Sequence, residues 1–555
     1  MNGLITLLRY RWRAAAHIGE LLREQSLFKV GFIALFALGM IAGLWGLFLH
    51  GFTFLDKLGG VGLIVIPRLF SLFFLGLSFM LVLSSLLSTY TTLYRSDEMP
   101  FLLLKPLNLT DILVFKHLES AFYSSWAFFF VIIPFVGAYA WYDRMPWYFS
   151  IYTLLFAVPF VGFCAGVGTL VTLLFVRWVP RRTRPLVAMG VLVLLTWAGL
   201  SLTSHARLAG ADDSMLMLDR LIPGLKLASH PLLPSWWMAE GILALSRGQW
   251  MRGLLLWNVL LAHWLFAALA VEAVGRRVFY EGWQRVVAGA GSVRRAPVML
   301  VRFERALTFL PGDLRCLIMK DLRLFLRDPQ QWMQVLIFFG LLGLYFMNLR
   351  TLHYHRLAPE WKNLIGFLNV FSTSAVLCSL GSRFVYPQMS LEGQAFWIIG
   401  MAPTAMKRVL KAKFVSACAA MLVISMGLIL ISVRMLGLPP LTQAVACAIA
   451  AAVALAIAGL STGLGAVFLD LRQRNPAAIV SSFGGTLNLV LSLCFMLCAI
   501  LPFGALFHFY SLDRIGPSAL HKGVWAGLAA LAALTWATAA LPLYVGRKSL
   551  ETREY

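Results

Sequence analysis

The chain has 555 residues, of which 60% are hydrophobic and only 13% charged, with a formal net charge of +23. A soluble domain carries about twice that charged share. Stretches of about twenty apolar residues, each enough to cross a bilayer core, recur along the whole length. This excludes a soluble globular protein, and the absence of short alternating strands excludes a β-barrel. The basic excess is read as membrane topology rather than nucleic-acid binding, because cytoplasmic loops collect Lys and Arg.

In chain order, residues 1–27 form a basic, amphipathic cytoplasmic segment without a signal-peptide core, expected to lie on the membrane surface. Hydropathy then predicts spans at 28–50, 70–93, 118–141, 148–176, 186–203 and 253–274. A basic cytoplasmic linker follows over 275–331. A second set of spans is predicted at 332–349, 365–388, 414–435, 442–468, 478–501 and 523–546, with a cytoplasmic tail at 547–555. The fold class is therefore an all-α polytopic membrane protein of about twelve transmembrane helices. With both termini inside, the inner loops hold more than twice as many Lys and Arg as the outer ones.

The half-polar stretch DEMPFLLLKPLNLTDILVFK, Asp97 to Lys116, lies between the second and third spans. LEGQAFWIIGMAPTAMKRVLKAK, Leu391 to Lys413, occupies the same place in the second set. A shift of 297 residues brings Pro106 onto Pro403 and Lys116 onto Lys413. Each begins with acid (Asp97 and Glu98; Glu392), crosses an apolar patch, breaks at Pro and ends at Lys. Two spans later, Gly166, Gly168 and Phe175 match Gly459, Gly463, Gly465 and Phe468, each set followed by a basic loop closing at Pro. Two tandem six-helix halves in a parallel pseudo-repeat account for both matches, since an even span number per half forces the parallel relation. A short helix with apolar anchors and a charged rim suits docking into a partner's groove. The anchors are Phe101, Leu104 and the Leu102–Leu103 pair in the first copy, and Phe396, Trp397 and Ile399 in the second; packing on its own protein is the alternative.

In the linker, DLRCLIMKDLRLFLRDP has one apolar face formed by Leu314, Leu317, Ile318, Leu322 and Phe325, with Lys320, Arg323 and Arg327 away from it. This predicts an interfacial helix whose basic face meets lipid headgroups, with a plain basic linker as the alternative. The seven Cys read as small apolar residues, and His263 as a packed polar group. Trp236 and Trp237 belong either to a short outward helix or to an aromatic belt. The dipeptide Gly-Lys does not occur, so there is no GxxxxGK[ST] phosphate loop; HExxH, CxxC and GxSxG are also read as missing. No catalytic, cofactor-binding or metal-ligating residue is expected, and the chain reads as a transport subunit that is not itself an enzyme.

The acid, apolar patch, Pro and Lys between spans two and three resemble those of type-2 ATP-binding cassette (ABC) exporter permeases. LEGQAFWIIGMAPTAMKRVLKAK and KDLRLFLRDPQQ narrow the resemblance to the ABC exporters in which two six-span halves are fused. The resemblance implies export driven by ATP and Mg on two copies of a separate ABC ATPase; the Gly, Ala, Ser and aromatic content of the spans suggests a bulky or amphiphilic substrate, although lipid-facing residues have the same composition. The chain would sit in the bacterial inner membrane among lipid, with no nucleic-acid partner. It assigns Asp97, Glu98, Pro106 and Lys116 to one coupling region and Glu392, Pro403 and Lys413 to the other. An ion-coupled secondary carrier and a structural subunit of another membrane complex remain the alternatives.

Overall fold

The computed structural model describes residues 2–16, 27–57, 61–96, 98–178, 230–288, 298–308, 310–327, 331, 359–402, 405–473 and 479–552. Among them every regular element is helical. Ten helices are long and apolar enough to cross a membrane. The expected spans at 186–203 and 332–349 lie outside the described residues. The chain divides into two compact units, Met1–Arg294 and Arg295–Tyr555.

Unit 1 opens with α1 (Asn2–Ala16) and continues with α2 (Leu27–Lys57) and α3 (Val61–Thr89). The short α4 (Glu98–Leu103) follows, then α5 (Leu109–Tyr142), α6 (Tyr148–Trp178), α7 (Pro234–Ser246) and α8 (Trp250–Ala288). Its main core is aromatic: Phe52, Phe70, Phe74, Phe135, Phe156 and Phe160 interlock, and Phe73 stacks on Phe135 at 3.8 Å. Hydroxyls cross-link α3, α5 and α6 beside that core. Thr89 bonds Ser120 at 2.8 Å and Thr169 at 3.1 Å, and His117 Nδ1 lies 2.9 Å from Thr169 Oγ1. In a helix bundle without water such bonds satisfy groups that hydrocarbon cannot. The helix α8 continues well past the predicted end of the sixth span at 274, so the start of the expected linker is helical.

Unit 2 comprises α9 (Val298–Ala306), α10 (Gly312–Arg327), α11 (Pro359–Leu380), the short α12 (Phe396–Gly400), α13 (Met406–Leu436), α14 (Pro440–Val467), α15 (Phe483–Ser511) and α16 (Pro517–Glu551). Pro at the first turn of α14 and α16 costs no hydrogen bond and fixes the helix start. The small-residue stripe of α14 lets α16 approach backbone to backbone. A Cβ on Gly459 would fall 2.6 Å from Ala539 Cα, and one on Gly463 would collide with the Pro542 backbone. In unit 1 the equivalent stripe faces α8, where a Cβ on Gly166 would lie 2.9 Å from that of Ala267.

Among the described residues the units differ before their last helices. Unit 1 has α7 packed on α3, α6 and α8, with Trp237 buried and its Nε1–H donating to Pro231 O at 2.6 Å. Burial of Trp237 corrects the aromatic-belt reading for that residue. In unit 2 only residues 512–516 separate α15 from α16.

Candidate functional site

The first half-polar segment lies between α3 and α5 of unit 1. The helix α3 ends in a turn of π-helix, Tyr90–Tyr94, and Ser96 Oγ accepts the Glu98 amide at 3.2 Å to start α4. Pro100 falls in the first turn, where its missing N–H leaves no bond unmade. Met99 and Leu102 enter an apolar cluster with Tyr90, Leu93, Ile112 and Phe279. That leaves Phe101 and Leu104 exposed on the opposite side, with Lys105 Nζ 4.6 Å above the Phe101 ring.

Beneath the segment lies a knot of four charges. Lys116, only 1% exposed, donates to Glu98 Oε2 and to Glu119 Oε2, both at 2.8 Å. Arg11, reaching from α1, pairs with Glu98 at 3.2 Å and also with Glu119. A buried ammonium is tolerable only when its charge is matched and its protons are used, and two carboxylates do both here. Burial by itself would raise the Glu98 pKa. The Lys116 hydrogen bond and charge, with the Arg11 charge, outweigh it and hold the carboxyl below its usual range.

Unit 2 repeats the arrangement with other residues. After a π-turn at Gly381–Val385, tight 3₁₀ turns carry Glu392 and then Gly393. Gly393 takes φ 58°, a conformation that glycine alone enters freely, and this re-aims the chain into α12. Lys413, again 1% exposed, donates to Glu392 Oε1 at 2.6 Å and Asp321 Oδ1 at 2.8 Å. Lys320 pairs with Glu392 and lies 3.7 Å from Asp321. Thus in each unit a Lys early in the following span binds an acid from the segment. A cation from the amphipathic helix before the first described span binds the same acid. Trp397, Ile398 and Met401 are the exposed apolar groups here.

Several sequence expectations change. Phe396 is fully buried, packed with Met389, Leu410 and Leu469, and Leu102 is buried in the cluster of Met99, so neither is available as a docking anchor. Ile398 and Met401 take the place of Phe396, because Gly393 rotates the helix that follows. Lys116 and Lys413 are interior counter-ions rather than partner-facing groups. Lys320 turns inward to Glu392 instead of toward headgroups, and Arg323 pairs with Glu304 at 2.8 Å. Pro106 is exposed beside Leu104. Asp97, Pro403 and the Arg327 side chain lie outside the described residues.

Sequence reasoning missed Arg11, Glu119 and Asp321. The i,i+3 spacing of Lys116 and Glu119 is a signal that finds Glu119; nothing local marks Arg11, 87 residues from Glu98. The reading that GxSxG is missing is corrected: Gly459–Gly463, GLSTG, has the spacing of a hydrolase nucleophile turn. Ser461 is mid-helix in α14 and fully buried, and its flanking glycines serve the contact with α16. It is not a nucleophile turn.

These two platforms present apolar side chains at the surface above buried ion clusters. Residues 22–555 match the protein family described as "Putative ATP-binding cassette". The chain belongs to that family. No curated protein matches it, and no solved structure does.

The match places this membrane-type helical protein among ABC-related transporters. It also corrects one expectation. The chain was read as non-enzymatic and without a nucleotide-binding site of its own. The family is described as an ATP-binding cassette and covers nearly all of the chain. The missing Gly-Lys excludes one way of cradling phosphate and nothing more.

Proposed function

We propose that the chain is the membrane-spanning component of an ATP-driven ABC exporter, built as two tandem six-helix halves in parallel orientation. It sits in a bacterial inner membrane with both termini cytoplasmic, and moves a bulky or amphiphilic substrate outward. Two copies of an ABC ATPase, working with ATP and Mg, dock on the segments at Glu98–Lys105 and Glu392–Met401. This is additional to the nucleotide binding that the family description assigns to the chain. The observation that carries the reading is the pairing of exposed apolar groups with a charge-locked base, built twice from unlike residues. Phe101 with Leu104, and Trp397 with Ile398 and Met401, have the size and spacing of helix-in-groove anchors.

The test purifies tagged protein in mild detergent, alone and with the ATPases that accompany it. Two P-loop ATPase chains per copy are expected. Phe101→Asp with Leu104→Asp, and separately Trp397→Asp with Ile398→Asp, should each remove one ATPase without changing the melting temperature, since all four side chains are exposed. Unchanged ATPase stoichiometry in both variants overturns the docking. So does full ATP turnover by the chain with no partner bound.

A further inference from the structure

We propose that the two docking segments are unequal by construction: the first is a releasable latch and the second a fixed seat. This rests on the docking reading above. In each knot the segment's acid is the removable charge. Without Glu98, Arg11 and Lys116 still share Glu119, so α1 stays tied to α5 and no buried cation is orphaned. Without Glu392, Lys413 still holds Asp321, and α10 stays tied to α13.

What differs is access to water. The Glu98 and Arg11 side chains are 53% and 43% exposed, while Glu392 and Asp321 are 9% and 11% exposed. An exposed pair is weak and screened by salt; an enclosed one is screened far less. Further ties reinforce the second segment. Gln388 Nε2–H donates to Asp321 Oδ2 at 3.2 Å, and Ser390 Oγ accepts the Asp470 amide at 3.1 Å. Phe396 plugs the segment into its apolar cluster. In the first segment Met99 and Leu102 give a comparable apolar seat, but the Ser96–Glu98 bond is local and Lys105 caps the segment's own Phe101. A partner docked on the second segment therefore moves α10 and α13 with it. One docked on the first meets only a water-accessible charge lock beside the packing of Met99 and Leu102, so its segment can part from Arg11 and Lys116.

Hydrogen exchange of the full chain in detergent, without any partner, tests this at about 0.1 and 1 M salt, where the Debye length falls from roughly 10 to 3 Å. Amides of 99–105 should exchange roughly tenfold faster than those of 394–402 at low salt, and accelerate further at high salt, with the second segment unmoved. Glu98→Gln should bring 99–105 to the high-salt rate at low salt while leaving α1 protected. Glu119→Gln should deprotect α1 instead. Equal salt response of the two segments, no response of 99–105 to Glu98→Gln, or loss of α1 protection in that variant would each overturn the latch. Because no ATPase is present, a failed docking reading leaves this result intact. Surface-group variants that keep their ATPases overturn the docking and not the latch.

Discussion

At the scale of single residues, Lys116 and Lys413 decide most. Each is a cation almost sealed from water, with two carboxylates as its only reason to be tolerated there. Removing one member of a buried ion cluster leaves the others uncompensated, at a cost of about 3–5 kcal/mol. Lys413→Met should therefore lower the melting temperature in detergent sharply. Glu98→Gln, at the exposed end of its knot, should barely move it and should show its effect locally. Its pH dependence follows from the lowered pKa. A folded value below the unfolded one means that Glu98 contributes fully above the usual glutamate range of about 4.3. The contribution disappears as pH falls through the folded value. Amide protection over 99–105 in wild type relative to Glu98→Gln, at matched pH, should be constant from roughly pH 8 to 5 and fall toward unity only as pH drops below the usual glutamate range. The cations Arg11 and Lys116 and the second acid Glu119 are the charged partners of that group.

Among the elements, the contact of α14 with α16 is set by absent side chains. Gly463→Ala would push a methyl into the Pro542 backbone, which has no rotamer to escape into. Gly427, in α13, has nothing within 4 Å of its Cβ position, so the same change there meets open space. Thermal melting should separate the two: a loss for Gly463→Ala, and no loss or a gain of up to about 1 kcal/mol for Gly427→Ala. The glycine pattern was legible in sequence as a match between halves, and the structure supplies its cause. The amphipathic character of α10 was legible too. Its orientation was not, because periodicity gives a face but not what that face meets. Lys320 looked solvent-facing only because its acid, Glu392, is 72 residues away.

For the molecule as a whole, helical class and membrane character were legible in composition alone, and ten of the predicted spans fall on described helices. The nucleotide question was not legible. Absence of one phosphate-binding loop was taken as absence of a site, and the family match corrects that step. Photoactivatable ATP should label the purified chain in a Mg-dependent manner, with unlabelled ATP as competitor, and the labelled peptide would locate the site. No labelling at saturating nucleotide would limit nucleotide binding to partner chains.

By itself the sequence determined that the chain is helical and of membrane type, that two half-polar segments, 97–116 and 391–413, stand out between apolar stretches, and that acid and Lys bracket each. Those properties follow from local composition and spacing, which hydropathy and periodicity read directly. Only tertiary structure decided which side chains turn inward. Arg11 reaches Glu98 from another helix, Asp321 supplies the second acid for Lys413, and Gly393 turns Phe396 into the core and Ile398 out of it. Each depends on a charge or a backbone angle being satisfied by residues distant in the chain, and no local pattern carries that information.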